Sequence, residues 1–216
     1  CIRDRCYTET LEVKPPIVVL HDFIDAVSKN GHLLLNLSPK ADGTIPQDQR
    51  DCLLTFGSWL NHNGEAIYNT RPWLAFGEGP TRLERAGSHL GIINYTAKDL
   101  RYTQSKDGET LYMIAMGWPE DGIIAPKSLK IEGKGKVELI GHKGDLDWQL
   151  DGKRLRIRVP DEKPCDMAYA FKLTGFKTGL TAKAAATQKA ELEALLKTSV
   201  DPGKKDISTT TRFGEE

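Results

Sequence analysis

The chain opens on a helical rhythm of apolar residues. Val19, Phe23, Ile24 and Val27 fall three and four apart, the spacing of one helix face. Pro15-Pro16 stands just ahead, where the first turn of a helix tolerates proline. Asn30-Gly31 predicts the stop, with glycine taking the left-handed conformation. Residues 32–37 then form a nearly continuous apolar run. Such a run suits a strand buried on both faces, as in a parallel sheet covered by helices. A helix followed by such a strand is half of a βα repeat. Pro39, Asp42-Gly43 and Pro46 mark a loop. A second helix is predicted over 47–61, with Leu53, Phe56, Gly57 and Leu60 on one face and Asn63-Gly64 at its end. Residues 65–73 read as irregular and aromatic, because Pro72 breaks any continuing pattern.

From about residue 81 to 175 the period changes to two. Short alternating runs recur: L-R-Y-T, L-Y-M-I-A-M, K-V-E-L-I, D-W-Q-L, L-R-I-R-V and A-Y-A-F-K-L. Leu155, Ile157 and Val159 alternate with Arg154, Arg156 and Arg158, the mark of a strand half buried and half wet. Lys106-Asp107-Gly108-Glu109 and Asp151-Gly152 are hairpin-type turns. Several strands at this spacing predict an antiparallel β-sandwich. A Gly/Pro-rich hinge at 76–81 separates the two patterns. Past Gly175 the sequence fits neither. Residues 182–196, rich in Ala, Lys, Glu and Leu, should be helical, and the polar stretch from about Ser199 should be disordered.

Charge changes this picture little. Thirty basic residues balance thirty acidic ones over 216 positions, which gives no footprint for nucleic acid or an anionic membrane. No apolar run reaches the ~20 residues of a membrane span, and no signal peptide is visible. Cys1, Cys6, Cys52 and Cys165 lack metal-ligand spacing, so no zinc site or other cofactor is expected. A disulfide framework is not expected either, and Cys52 should pack as a small hydrophobe in the second helix. Residues 1–5 resemble the translated end of a sequencing adapter and are set aside from fold reasoning.

The fold class expected is therefore α/β plus all-β: the end of a (β/α)8-type barrel over residues 6–78, then an antiparallel β-sandwich over 79–175, then a tail over 176–216. V-S-K-N-G-H-L-L-L-N, A-D-G-T-I and N-G-E-A-I-Y-N-T-R-P-W together resemble the α-L-fucosidases of glycoside hydrolase family 29. Y-T-A-K-D-L-R-Y-T through L-Y-M-I-A-M-G-W-P resembles the start of that family's sandwich domain. Two departures stand out. His32 occupies a position where members usually carry Asn, and Leu37-Ser38 one where Val-Gly is common.

The resemblance implies a retaining exo-glycosidase acting on terminal α-L-fucose of glycans. An Asp nucleophile and a carboxylic acid would lie about 5–5.5 Å apart. The nucleophile and the fucose-binding histidines belong to earlier strands that have no match here, so this segment alone is expected to be inactive. The acid/base lies, in some members, in the loop before the first helix. Glu9 is the candidate, with Glu12 second, against a reading of both as solvated loop carboxylates. Asn36, at the end of the expected strand, is a candidate substrate ligand or a cap for the following loop. His32 reads as structural. Trp59, Trp73 and Trp118 are sugar-stacking platforms or packing groups, and packing between barrel and sandwich is favoured for Trp73 and Trp118. The resemblance implies a secreted, periplasmic or lysosomal setting, no cofactor, and room for a homo-oligomer of the full enzyme. The sandwich is read as structural, with a carbohydrate-binding role as the alternative.

Overall fold

The computed structural model describes residues 7–9, 12–81 and 93–199. The expectations for residues 1–5 and for the tail from residue 200 onward lie outside these. Residues 1–181 hold together as one compact unit, and residues 182–216 are a second.

Among the described residues of the first unit, α1 (Pro16–Ser28) and α2 (Gln47–Asn63) precede ten strands. These are β1 (Thr70–Glu78), β2 (Leu100–Ser105), β3 (Thr110–Ala115), β4 (Ile123–Ile124), β5 (Leu129–Glu132), β6 (Lys136–Leu139), β7 (Asp147–Asp151), β8 (Arg154–Arg158), β9 (Tyr169–Thr174) and β10 (Lys177–Leu180). A five-stranded antiparallel sheet runs β1-β2-β3-β9-β6. Against it lie the small sheets β4-β8-β7 and β10-β5.

Alternation on the central strands explains the layering. Leu111 and Met113 of β3 and Phe171 and Leu173 of β9 face the sandwich core, meeting Leu129, Ile131, Leu155 and Ile157. Tyr112 and Ile114 of β3 and Ala170 of β9 face the other way, onto Leu20 and Ile24 of α1 and Trp59 of α2. Period two sends neighbours to opposite faces, so the large sheet is apolar on both sides. The helices form a third layer.

The α1 stop differs in one detail from its sequence reading. Asn30, not Gly31, takes the left-handed conformation, at φ 63°. The Gly31 N–H bonds Ala26 O at 2.7 Å and the Asn30 N–H bonds Val27 O at 3.0 Å, a Schellman closure with asparagine at its turning point. A Cβ at Gly31 would make a tight contact, 3.0 Å from Ala26 O.

The strand expected over residues 32–37 does not form: residues 31–40 have no regular secondary structure. Leu34 is 86% exposed, and His32 and Leu33 are exposed too. A parallel strand is held by ladder bonds to neighbours, and no barrel strand lies beside this one among the described residues. Conversely, residues 70–73 begin β1 despite Pro72. β1 is an edge strand, where a missing N–H costs no ladder bond. A register shift between Pro72 and Gly77 marks a bulge there. Gly77 is required, because a Cβ would lie 2.2 Å from Leu100 O. β1 thus enters the sandwich sheet ahead of the expected junction, and β10 extends the β region past Gly175 by pairing with β5. The second unit contains α3 (Ala182–Ser199), the helix expected from its Ala/Lys/Glu/Leu composition.

Candidate functional site

The loop ahead of α1 carries Tyr7, Glu9 and Glu12. Glu9 and Glu12 are exposed, and neither makes a hydrogen bond or ion pair among the described residues. The Lys40 ammonium lies 5.9 Å from the centre of the Tyr7 ring, which links this loop to the one between the apolar run and α2. Lys14 approaches Asp22 at 3.6 Å. Burial raises the Asp22 carboxyl above its ordinary range, and Lys14 opposes that rise.

Asn36 is also exposed. The chain just beyond it is tied down. The Gln49 side-chain oxygen accepts the Ser38 N–H at 2.9 Å, and its amide nitrogen donates to Ser38 O at 3.3 Å. Between them the loop bonds itself: Lys40 N–H to Thr44 O at 2.8 Å, and Thr44 N–H to Asp42 Oδ1 at 2.9 Å. Glu9 and Asn36 are therefore exposed loop groups.

The helical layer is fixed to the sandwich by buried polar contacts. Arg101 of β2 donates from Nε to Asp25 Oδ1 of α1 at 2.7 Å, and Lys29 donates to Asp25 Oδ2 at 2.6 Å. Arg101 Nη1 also reaches Leu100 O at 3.0 Å. Its guanidinium lies 5.0 Å from the Tyr95 ring centre and 5.6 Å from that of Phe76. Burial pushes the Tyr95 hydroxyl up to about 12. Trp59 donates from Nε1 to Ala168 O at 2.8 Å, and the Thr103 hydroxyl donates to Ala66 O at 2.7 Å. His21 donates from Nε2 to Met167 O at 2.9 Å. Burial lowers the His21 pKa, against that bond and the charge of Asp22, which favour the proton.

Asp99 closes the base of the segment ahead of β2. It is fully buried and accepts bonds from the N–H and hydroxyl of both Thr81 and Thr96, at 2.8–3.0 Å. Burial alone would raise its carboxyl, but these four donors outweigh that and hold it below the usual range. A cleft of about 180 Å³ lies beside this cluster, lined by Lys29, Phe76, Gly77, Glu78, Gly79, Thr81 and Arg101. None of Glu9, Glu12 or Asn36 lines it.

The three tryptophans weighed as sugar platforms are packing groups. Trp59 is buried under the sandwich sheet. Trp73 lies tilted against Tyr102 with ring centres 5.1 Å apart, in the sandwich core, and Trp118 meets Tyr169 edge-on at 4.6 Å against that core, rather than between barrel and sandwich. Cys52 is buried, with its thiol toward Lys14 O, and Cys165 is half-buried. No group of three His, Cys, Asp or Glu fit for a metal occurs among the described residues, and no described helix is long and apolar enough to cross a membrane.

Sequence reasoning missed Asp25, Gln49, Asp99 and Arg101. Asp25 had no signal: it falls outside the helix face of Val19, Phe23, Ile24 and Val27 and reads as solvated. Arg101 had none, because alternation in L-R-Y-T assigns it to a wet face that the helices in fact cover.

Two helices and their loops packed on an antiparallel β-sandwich give the architecture of a barrel end followed by a C-terminal sandwich domain. Residues 3–65 match the family model Alpha-L-fucosidase, and residues 94–174 match Alpha-L-fucosidase C-terminal domain. The human tissue α-L-fucosidase is 33% identical over 164 residues, 74% of this chain and 31% of that protein. The bovine tissue enzyme is 32% identical over 175 residues, 78% and 33%. The crystal structure of the Thermotoga maritima α-fucosidase superposes with a TM-score of 0.63 at 26% identity, over 79% of this chain and 37% of that one. The chain belongs to the α-L-fucosidase family, glycoside hydrolase family 29. It spans about a third of the length of the curated relatives it matches.

Proposed function

We propose that the enzyme to which this segment contributes is a retaining exo-glycosidase that releases terminal α-L-fucose from glycoconjugates or polysaccharides. The reaction is a double displacement between two carboxyls about 5–5.5 Å apart. An Asp on a barrel strand outside these 216 residues attacks the anomeric carbon. Glu9 protonates the leaving oxygen, then deprotonates the water that hydrolyses the glycosyl-enzyme. Asn36, at the end of the last strand, hydrogen-bonds the sugar. Residues 6–78 close the barrel and the sandwich follows. The segment alone is inactive, lacking its nucleophile. The substrate is a fucosylated glycan. The even charge balance favours that over a nucleic acid.

The observation that carries this reading is the order and docking of the two matched parts. The barrel end precedes the sandwich and is joined to it by the buried Asp25–Arg101 pair and the Trp59–Ala168 bond. For the sandwich, a structural role is favoured over glycan binding, since Trp73 and Trp118 are used for internal packing.

The test is the complete reading frame assayed on a chromogenic α-L-fucoside beside Glu9→Ala. Loss of a general acid/base costs about 10²–10⁴-fold in rate. Activity in the wild type, lost to that degree in the variant and restored by azide, supports both assignments. Unchanged activity in the variant discards Glu9 and keeps the reaction. An inactive wild type discards the reaction.

A further inference from the structure

The reading above gives Asn36 to the substrate but leaves open what holds it. In a barrel, the body of the last strand is fixed by ladder bonds to its neighbours. The chain leaves those ladders where the strand turns into its loop, and that end is where ligands are met. Here Ser38 lies two residues beyond Asn36, and the Gln49 side chain bonds both its backbone N–H and its carbonyl. Gln49 is an amide in the first turn of α2 and is 2% exposed. Its side chain offers Ser38 one acceptor and one donor, the same pair that a neighbouring strand would present.

We propose that Gln49 is a positioning residue for substrate binding: it acts as a surrogate strand partner that fixes the Ser38 peptide and, through it, the Asn36 side chain at the sugar. Three features support this. The bond pair is buried on both sides, since Ser38 is fully buried as well. It joins residues eleven apart, while residues 39–45 and 47–48 between them are exposed and bonded mostly to each other. The clamp therefore fixes the two ends of the loop, not its tip. The inference rests on the proposed fucosidase activity and on Asn36 as a ligand.

An amide that positions a ligand for ground state and transition state alike changes KM and leaves kcat. In the complete enzyme, Gln49→Met keeps the volume and removes both bonds. KM for an aryl α-L-fucoside should rise about tenfold, with kcat within about twofold. Gln49→Glu keeps an acceptor for the Ser38 N–H and loses the donor, so it should fall between wild type and Gln49→Met. Hydrogen exchange at the Ser38 amide reads the clamp without reference to activity, and should speed up in Gln49→Met.

A merely structural role predicts the opposite kinetic split: fewer active molecules, hence lower apparent kcat at unchanged KM. That result overturns the proposal. So does faster exchange at Ser38 with unchanged kinetics, and so does unchanged exchange. If the wild type exchanges slowly at Ser38 but hydrolyses no α-L-fucoside, the proposed function fails while the clamp stands as geometry, and the positioning role falls with the function.

Discussion

Removing one partner of the Asp25–Arg101 pair should cost this chain more stability than any other single polar change in its helical layer. The side chains are 9% and 4% exposed, and the Nε–Oδ1 distance is 2.7 Å. Taking away Asp25 strands a guanidinium whose remaining bonds go to the carbonyls of Leu100 and Glu78. Breaking a buried pair from one side costs about 3–5 kcal/mol. For a unit of this size each kcal/mol moves the melting midpoint by about 2–4 °C, so Asp25→Ala should lower it by about 6–20 °C. Arg101→Ala should cost somewhat less on the charge account. Asp25 then keeps Lys29 at 2.6 Å, on a side chain one-third exposed to water. Lys29→Ala should cost about 0–1 kcal/mol, because the exposed partner is screened.

The assay is urea unfolding of the four proteins of a double-mutant cycle, followed by tryptophan fluorescence. Trp59 reports the helical layer, being bonded to Ala168. The double variant Asp25→Ala/Arg101→Ala should be clearly less damaged than the sum of the singles, with a coupling of about 0.5–3 kcal/mol. Additive effects, or a loss below about 1 kcal/mol for Asp25→Ala, would refute the claim that this pair joins α1 to the sandwich.

Two further outcomes follow from the same geometry. The folded-state pKa of His21 is depressed by burial. Its contribution is therefore full above the unfolded value of about 6.5 and is lost as pH falls below that toward the folded value. Titrating stability from pH 8 to 5 should show this loss, and His21→Gln, which keeps a donor for Met167 O, should flatten that part of the curve. Leu34 is 86% exposed here but belongs to an apolar run suited to a buried strand. Leu34→Glu should shift the stability of this 216-residue chain by no more than about 0.5 kcal/mol. In the complete protein it should abolish folding or cost several kcal/mol, read by thermal melting. Equal, small effects in both would contradict the barrel-end reading.

What the sequence made legible was whatever depends on neighbours along the chain. The Arg154–Arg158 alternation, the Lys106–Glu109 turn and the apolar face of α1 each carry their own period, and each appears where that period puts it. What it hid depends on neighbours in space. Pro72 looked like a breaker because nothing local says that β1 is an edge strand. Arg101 looked solvated because nothing local says that helices cover the second face of the sheet. The run at 32–37 looked like a strand because its residues suit one, yet a strand exists only as a pairing.

The same logic bears on the candidate site. Glu9 and Asn36 were found by likeness to a family, not by a physical signature, and the geometry explains why no signature exists. A catalytic acid is made by surroundings that desolvate it or set a second carboxylate beside it. Glu9 stands on an exposed loop, so within this segment it has neither. On the function proposed above, its chemistry would come from strands outside these residues. What the segment does supply is support: Gln49 holding Ser38, and Asp25, Arg101 and Trp59 holding α1 and α2 on the sandwich. A variant at Glu9 should therefore change rate without touching stability, whereas variants at Asp25 or Arg101 should do the reverse.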